Sequence, residues 1–292
     1  MSRRGWALFA AVGVIWGMPF LLIKVADDGV SVAFLVFVRV FIGALLMLPL
    51  AVRRGRLRGL LPCWRWLAAL SVVEVILPWL LLSAAERRLS SSLSGLVIAV
   101  VPIIGVGVAR LAGNHEPMTT ARWAGLAIGL GGVTLLLLPA VTGGGAVPVL
   151  EALGTAVCYA IGPAIAAQKL AGADDISVTA AALGLASVVY AVPAALTWPR
   201  AVPSLPVLGA LAGLAAICTA LAFLLYLRLI AEVGPLRAEV VTYVNPAVAV
   251  ALGVLVLGEP FTPLIAAAFA AILAGSVLAT RRGNGISHLA TQ

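Results

Sequence analysis

Long apolar runs separated by short polar breaks dominate the chain, and no ten-residue segments of alternating polarity recur, so a membrane β-barrel is not expected. Ten runs of about 18–22 residues can be drawn, each long enough as a helix to cross about 30 Å of hydrocarbon. They lie at 5–24, 31–51, 66–85, 92–111, 121–139, 149–168, 177–197, 207–227, 237–257 and 264–280. The breaks carry turn chemistry: Asp27-Asp28-Gly29, the Arg53–Arg65 loop, Gly113-Asn114-His115-Glu116-Pro117, Gly143-Gly144-Gly145, Asp174-Asp175, Pro199 to Pro206, and Gly258-Glu259-Pro260. The junction Glu86-Arg87-Arg88-Leu89-Ser90-Ser91 is short enough to make spans 3 and 4 a tight helical hairpin. The pattern predicts an all-α integral membrane protein of ten transmembrane helices.

Composition agrees. Apolar residues make up 63% and charged residues 10% of the 292, with a mean hydropathy of +1.15. Soluble domains are about 45–50% apolar and about 25% charged, so this chain lacks the polar surface to coat a soluble fold. The basic residues are also asymmetric. With both termini in the cytoplasm, the inner side collects Arg3, Arg4, Arg53, Arg54, Arg56, Arg58, Arg65, Arg110, Arg122, Lys169, Arg228, Arg237, Arg281 and Arg282. The outer side receives only Lys24, Arg87, Arg88 and Arg200, a bias that the positive-inside rule predicts. The expected location is a bacterial-type inner (plasma) membrane, crossed many times. The net charge of +8 follows from topology, and no basic stripe on a soluble face points to nucleic acid. The first run follows Arg3-Arg4 but is too long for a signal-peptide core and has no small-x-small cleavage site, so it reads as a retained helix. Cys63, Cys158 and Cys218 show no metal or redox spacing, and His115 and His288 lie in a loop and in the tail. No metal or other cofactor is expected.

The chain also repeats itself. Pro102 leads to Glu116-Pro117 and on to Gly132, as Pro246 leads to Glu259-Pro260 and Gly275. Trp16-Gly17 precedes Lys24 by the spacing that separates Ile161-Gly162 from Lys169. Five spans per half is an odd number, so two five-helix repeats, 5–139 and 149–281, must enter the bilayer from opposite sides, with 282–292 left as a cytoplasmic tail. Inverted repeats of this kind mark secondary transporters with a midplane site between the halves.

Trp16-Gly17-x-Pro19-Phe20, Lys24 and Arg39 resemble the opening of EamA-type transporters of the drug/metabolite transporter superfamily. Ala222 to Tyr226, Pro246, Gly258-Glu259-Pro260 and Gly275 are similar to the closing half of that domain, and Pro102, Glu116 and Gly132 repeat it. The resemblance covers about residues 5–281 and implies a ten-helix carrier that exports amino acids, related metabolites or drugs. Ile161 in place of a second Trp and the polar Gly113-Asn114-His115-Glu116 turn depart from the pattern.

Two charges lie truly deep, Arg39 in span 2 and Glu74 in span 3, where insertion of an ionisable group costs about 2.5–3.5 kcal/mol. Their heights in the bilayer differ by roughly 6 Å, within joint side-chain reach, so a pair between them is geometrically open. Such a pair would either pin helix 2 to helix 3 or meet a charged substrate, with Glu74 able to take a proton. Pro78, Pro102 and Pro246 each free a carbonyl four residues back, and with Pro19 they are candidate kink or gating positions. Trp16, Trp79, Tyr159, Tyr243 and Asn245 lie between the interfaces that Trp6, Trp64, Trp66, Trp123 and Trp198 mark. They suit an amphipathic cavity or plain core packing. Glu116 and Glu259 read first as helix-start signals, and Gly13-x3-Gly17, Gly125-x3-Gly129 and Gly209-x3-Gly213 as close-packing faces.

The leading expectation is a secondary exporter of a small amphipathic metabolite, an amino acid or related compound, working by alternating access. A proton-coupled multidrug exporter using Glu74 is the alternative within transport. An integral-membrane lipid-modifying enzyme would need convergent nucleophile, base or metal groups, and a channel a filter or charge ring; none is present. The expected partners are the bilayer, a small-molecule substrate and protons as the candidate coupling ion. Monomer and homodimer are both compatible, since the fused halves can hold one complete site.

Overall fold

The computed structural model describes residues 1–111, 113, 119–142, 145–234 and 238–280. The Glu116-Pro117 turn, His115, Arg237, Arg281, Arg282, His288 and the expected tail lie outside the described residues, as do Asn114, Gly143 and Gly144. Span 1 is α1 (Arg3–Gly17) and α2 (Pro19–Asp27), and span 2 is α3 (Val32–Arg54). The Arg53–Arg65 loop contains a 3₁₀ turn, Leu57–Cys63. Span 3 is α4 (Trp64–Ser71), a π turn (Val72–Ile76) and α5 (Leu77–Glu86); span 4 is α6 (Ser91–Ile98) and α7 (Val101–Leu111). Then come α8 (Thr120–Thr142), α9 (Ala146–Lys169) and α10 (Asp175–Leu196) as spans 5 to 7. Span 8 is α11 (Leu205–Ala212), a π segment (Gly213–Leu221) and α12 (Ala222–Val233). A 3₁₀ turn (Glu239–Tyr243) leads into α13 (Asn245–Leu257), and α14 (Pro263–Thr280) closes the described chain.

Among the described residues nine helices are long and apolar enough to cross a membrane, and Pro263–Ala279 is a shorter apolar helix where the tenth span was expected. The polarity runs inside out relative to a soluble protein. Leu45, Val188 and Leu255 are 60%, 74% and 81% exposed, whereas Ser71, Thr155, Thr219 and Ser276 are fully buried. Lipid replaces water around the outer surface, so polar groups are cheapest inside, bonded across helices.

The four candidate kink prolines each stand at or just after a break in regular helix. Pro19 opens α2, Pro102 stands one residue into α7, Pro246 one residue into α13, and Pro78 follows the π turn. Facing hydroxyls satisfy carbonyls at these breaks. The Tyr190 hydroxyl donates to the Ile76 carbonyl at 2.7 Å and Thr155 to that of Pro78 at 3.3 Å. Ser276 donates to the Ala99 carbonyl at 3.0 Å. All three donors come from beyond residue 145 and all three acceptors from before it, so the breaks also join the two parts of the chain.

Helix packing follows small residues. Gly125 and Gly129 of α8 face Gly275 of α14 so closely that a Cβ on Gly275 would run into the backbone of Gly129. Gly13 and Gly17 receive Val244 and Val248. Gly209 departs from the expectation: nothing lies within 4 Å of where its Cβ would be, and only Gly213 of that pair is packed, against Leu22.

Glu259 requires a second correction. The helix that follows it is started by Thr262, whose Oγ1 accepts from the Ile265 amide at 3.3 Å. The Glu259 carboxylate instead accepts from the Ser91 and Ser92 amides at 2.7 and 2.9 Å, capping α6 in the other part of the chain. Burial pushes the carboxyl up, but the Ser92 and Ser91 hydrogen bonds outweigh it and hold the group below the ordinary glutamate value. Its stabilising effect is therefore present above that ordinary value and is lost as pH falls through the lower folded one. Loss of a cap costs about 0.5–2 kcal/mol. Glu259→Ala is expected to lower the unfolding temperature of the detergent-solubilised protein at neutral pH, with the gap to wild type closing in acid.

Candidate functional site

Arg39 is 6% exposed. It is brought across by Gly43, one turn further along α3, where a Cβ would meet the Thr219 methyl at 2.9 Å. The close approach lets Arg39 Nε donate to Thr219 Oγ1 at 3.1 Å, while the Thr219 hydroxyl donates to the Leu214 carbonyl five residues back in the π segment, at 2.8 Å. The guanidinium carbon lies 3.7 Å from the centroid of the Trp79 ring. A desolvated cation–π contact of this kind contributes about 2 kcal/mol. The Tyr159 phenol lies beside Trp79 and near both Arg39 and Glu74.

The Arg39–Glu74 pair that the sequence left open is not formed among the described residues. The π turn that Pro78 follows turns the Glu74 side chain onto α9, over Gly162, where even a Cβ would overlap the carboxyl. Arg39 spends its Nε on Thr219 and its face on Trp79, and neither terminal nitrogen meets a hydrogen-bond acceptor among the described residues. Estimates of height in the bilayer could not anticipate this, because the π turn rotates the side chain about the helix axis.

Arg39, Trp79, Tyr159 and Glu74 thus form one neighbourhood, drawn from α3, α5, α9 and the π turn. Trp16 belongs to another: its ring is 4.6 Å from Tyr226 and 6.0 Å from Phe223, joining α1 to α12. The Tyr243 hydroxyl donates to the Ser276 carbonyl at 3.4 Å. With its amide nitrogen turned toward acceptors, Asn245 donates to the Val241 and Gly13 carbonyls, each at 3.2 Å. Those two side chains tie the start of α13 to its neighbours. Thr219 and Tyr190 went unread in the sequence; a threonine on an apolar helix carries no signal until the π segment aims it. Among the described residues no cluster of three or more His, Cys, Asp or Glu side chains could hold a metal.

A multi-pass helical membrane fold with a buried arginine points to a class of protein rather than a particular one. The chain belongs to the EamA-like transporter family, whose model matches residues 3–138 and again 147–281. It is 28% identical over 284 residues to the "Uncharacterized inner membrane transporter YedA" of Escherichia coli (strain K12), covering 94% of this chain and 89% of the relative. It is also 28% identical over 296 residues to the "Probable terminal-alkyne amino-acid exporter" of Streptantibioticus cattleyicolor, covering 98% and 96%. A solved crystal structure that is 22% identical superposes with a TM-score of 0.68 over 96% of this chain and 98% of that one, so the two share a fold. The chain is a transporter and not an enzyme, in agreement with the resemblance read from its motifs.

Proposed function

We propose that this protein exports a small amphipathic metabolite bearing a carboxylate, an amino acid or close relative, across the inner membrane by alternating access. The observation that carries the reading is Arg39: a buried guanidinium, oriented by Thr219 and Trp79, whose terminal nitrogens stand ready for a planar anion. The Trp79 and Tyr159 rings offer the apolar part of such a solute a surface beside that charge. The name of the Streptantibioticus relative points the same way.

Alternating access around a site between two inverted repeats is supported by the symmetry of the helix packing. Span 1 packs on span 8, span 2 on 7, span 3 on 6, span 4 on 9 and span 5 on 10. Exchanging every span for the one five places along maps this pairing onto itself, as two inverted five-helix repeats require. The π breaks support the same reading, since the π turn at Val72–Ile76 and the π segment at Gly213–Leu221 fall in spans five apart. At the arginine-rich end, read as cytoplasmic, a crevice of about 310 Å³ runs between Trp66, Ile161, Gln168 and Lys169. Ile161 adjoins Gly162, on which Glu74 rests. At the same end Arg54 and Asp174 form an ion pair at 2.8 Å between spans 2 and 7.

Counterflow in proteoliposomes tests the reading. Vesicles loaded with unlabelled L-amino acids should take up labelled members of the same panel, with apolar side chains preferred and the corresponding amines, which lack the carboxylate, excluded. Exchange of amines but not amino acids would reject an Arg39-centred carboxylate site.

A further inference from the structure

Glu86 closes α5 and is fully buried. Neither of its carboxyl oxygens has a hydrogen-bond partner. Among the described residues, none of the charges near it bonds its carboxyl. Lys24 of α2 donates to the backbone carbonyls of Glu86 and Leu89, the latter at 2.9 Å. Arg87 holds Asp27 at 2.5 Å and the Val30 carbonyl at 2.9 Å. Arg39 of α3 lies on Trp79, and Glu259 is taken by the start of α6. On α9, Glu151 stands near the same end, with one oxygen buried and unpartnered. An ionised carboxylate without a donor is far more costly to bury than the neutral acid. Full burial shuts the carboxyl off from solvent.

The position is not isolated from the site. Trp79, Ser83 and Glu86 are spaced i, i+4, i+7, so they lie on one face of α5 over about 10 Å. All three are buried, and the Ser83 hydroxyl between them also lacks a partner. The face begins at the ring that carries Arg39 and ends where Lys24 caps the helix.

We propose that Glu86 is a proton-binding site of the transport cycle, linked along this face of α5 to Arg39. With the proton on, the neutral acid leaves Lys24 on the α5 carbonyls. With the proton off, the carboxylate draws Lys24 or Arg39 toward it, which loosens the end of α5 or empties the Trp79 face. The proton binds a carboxyl oxygen and leaves from it; no other bond changes. The coupling role rests on the transport reading above, whereas proton binding itself does not.

Infrared difference spectroscopy of the purified protein titrated with acid and base tests both parts. Wild type should show a carboxylic-acid carbonyl band that Glu86→Gln abolishes and Glu74→Gln leaves in place. Glu86→Asp should retain the band at a shifted frequency, which guards against a misfolded glutamine variant. The band should titrate, and Arg39→Gln should move its midpoint. A spectrum in which Glu86→Gln removes no such band would overturn the proposal. So would a band that never titrates, or one that Arg39→Gln leaves unmoved, because Glu86 would then be a static neutral acid. In proteoliposomes, Glu86→Gln should lose the acceleration of amino-acid flux by an imposed pH gradient; gradient-driven flux equal to wild type would refute the coupling. If wild type exchanges no amino acid at all, the carboxylate-export reading fails by itself, and the infrared titration still decides Glu86.

Discussion

Arg39→Gln is expected to abolish measurable amino-acid counterflow while leaving the protein folded. The guanidinium is buried and carries no carboxylate partner, so its removal strands no acid inside the protein. What it loses is the charge that a substrate carboxylate would meet. Removing one partner of a desolvated, hydrogen-bonded charge pair costs about 2–5 kcal/mol, or at least about thirtyfold in half-saturation. Arg39→Lys keeps the charge but not the planar fork that lies on Trp79 and spans two oxygens, so it should recover only part of the exchange. The measurement is the concentration dependence of counterflow, with the unfolding temperature as a control. Half-saturation within twofold of wild type in Arg39→Gln would remove this residue from the substrate site.

The depth of Arg39 could be read from the sequence, because an arginine inside an apolar run must be placed somewhere polar. Its partners could not. Thr219 is aimed by a π segment that contains no proline, and Gly43 matters only because α3 must approach that segment. Glu74 and Glu86 show the same limit from both sides. Glu74 stood out because apolar residues surround it, yet its carboxyl turned away from Arg39 onto Gly162. Glu86 was read only as part of the short junction that makes spans 3 and 4 a tight hairpin, yet it is the most deeply enclosed acid among the described residues. In a run of adjacent charges the sequence does not say which side chain faces inward; the helix phase does, and Glu86 shares the phase of Trp79. The spacing of Pro102 and Pro246 from their Glu-Pro turns was legible as a repeat. That Glu259 serves a helix in the opposite part of the chain was not, since a cap is ordinarily read against the helix that follows it.

The packing of α8 on α14 supports the largest stability prediction. Gly125 and Gly129 on α8 and Gly275 on α14 meet backbone to backbone: a Cβ on Gly275 would also lie 2.7 Å from the Gly125 carbonyl oxygen. Lipid tails are as apolar as the helix faces, so this contact rests on close packing rather than on expulsion of water. The obstructing atoms are main chain, which cannot turn aside as a flexible side chain can. Gly275→Ala should therefore cost about 1–3 kcal/mol, as overpacking does, and Gly275→Leu more, by forcing the helices apart. Gly209→Ala provides the internal comparison, because its Cβ would enter open space and α11 gains a better helix former by about 0.8–1.0 kcal/mol. Thermal unfolding in detergent should rank Gly209→Ala at or above wild type, then Gly275→Ala, then Gly275→Leu. If Gly275→Leu unfolded at the wild-type temperature, the glycine seam would not be what joins α8 to α14. A loosened seam should also weaken the Ser276 bond to the Ala99 carbonyl one residue on, and with it the break between α6 and α7. Gly275→Ala is thus expected to slow counterflow even at temperatures where the protein remains folded.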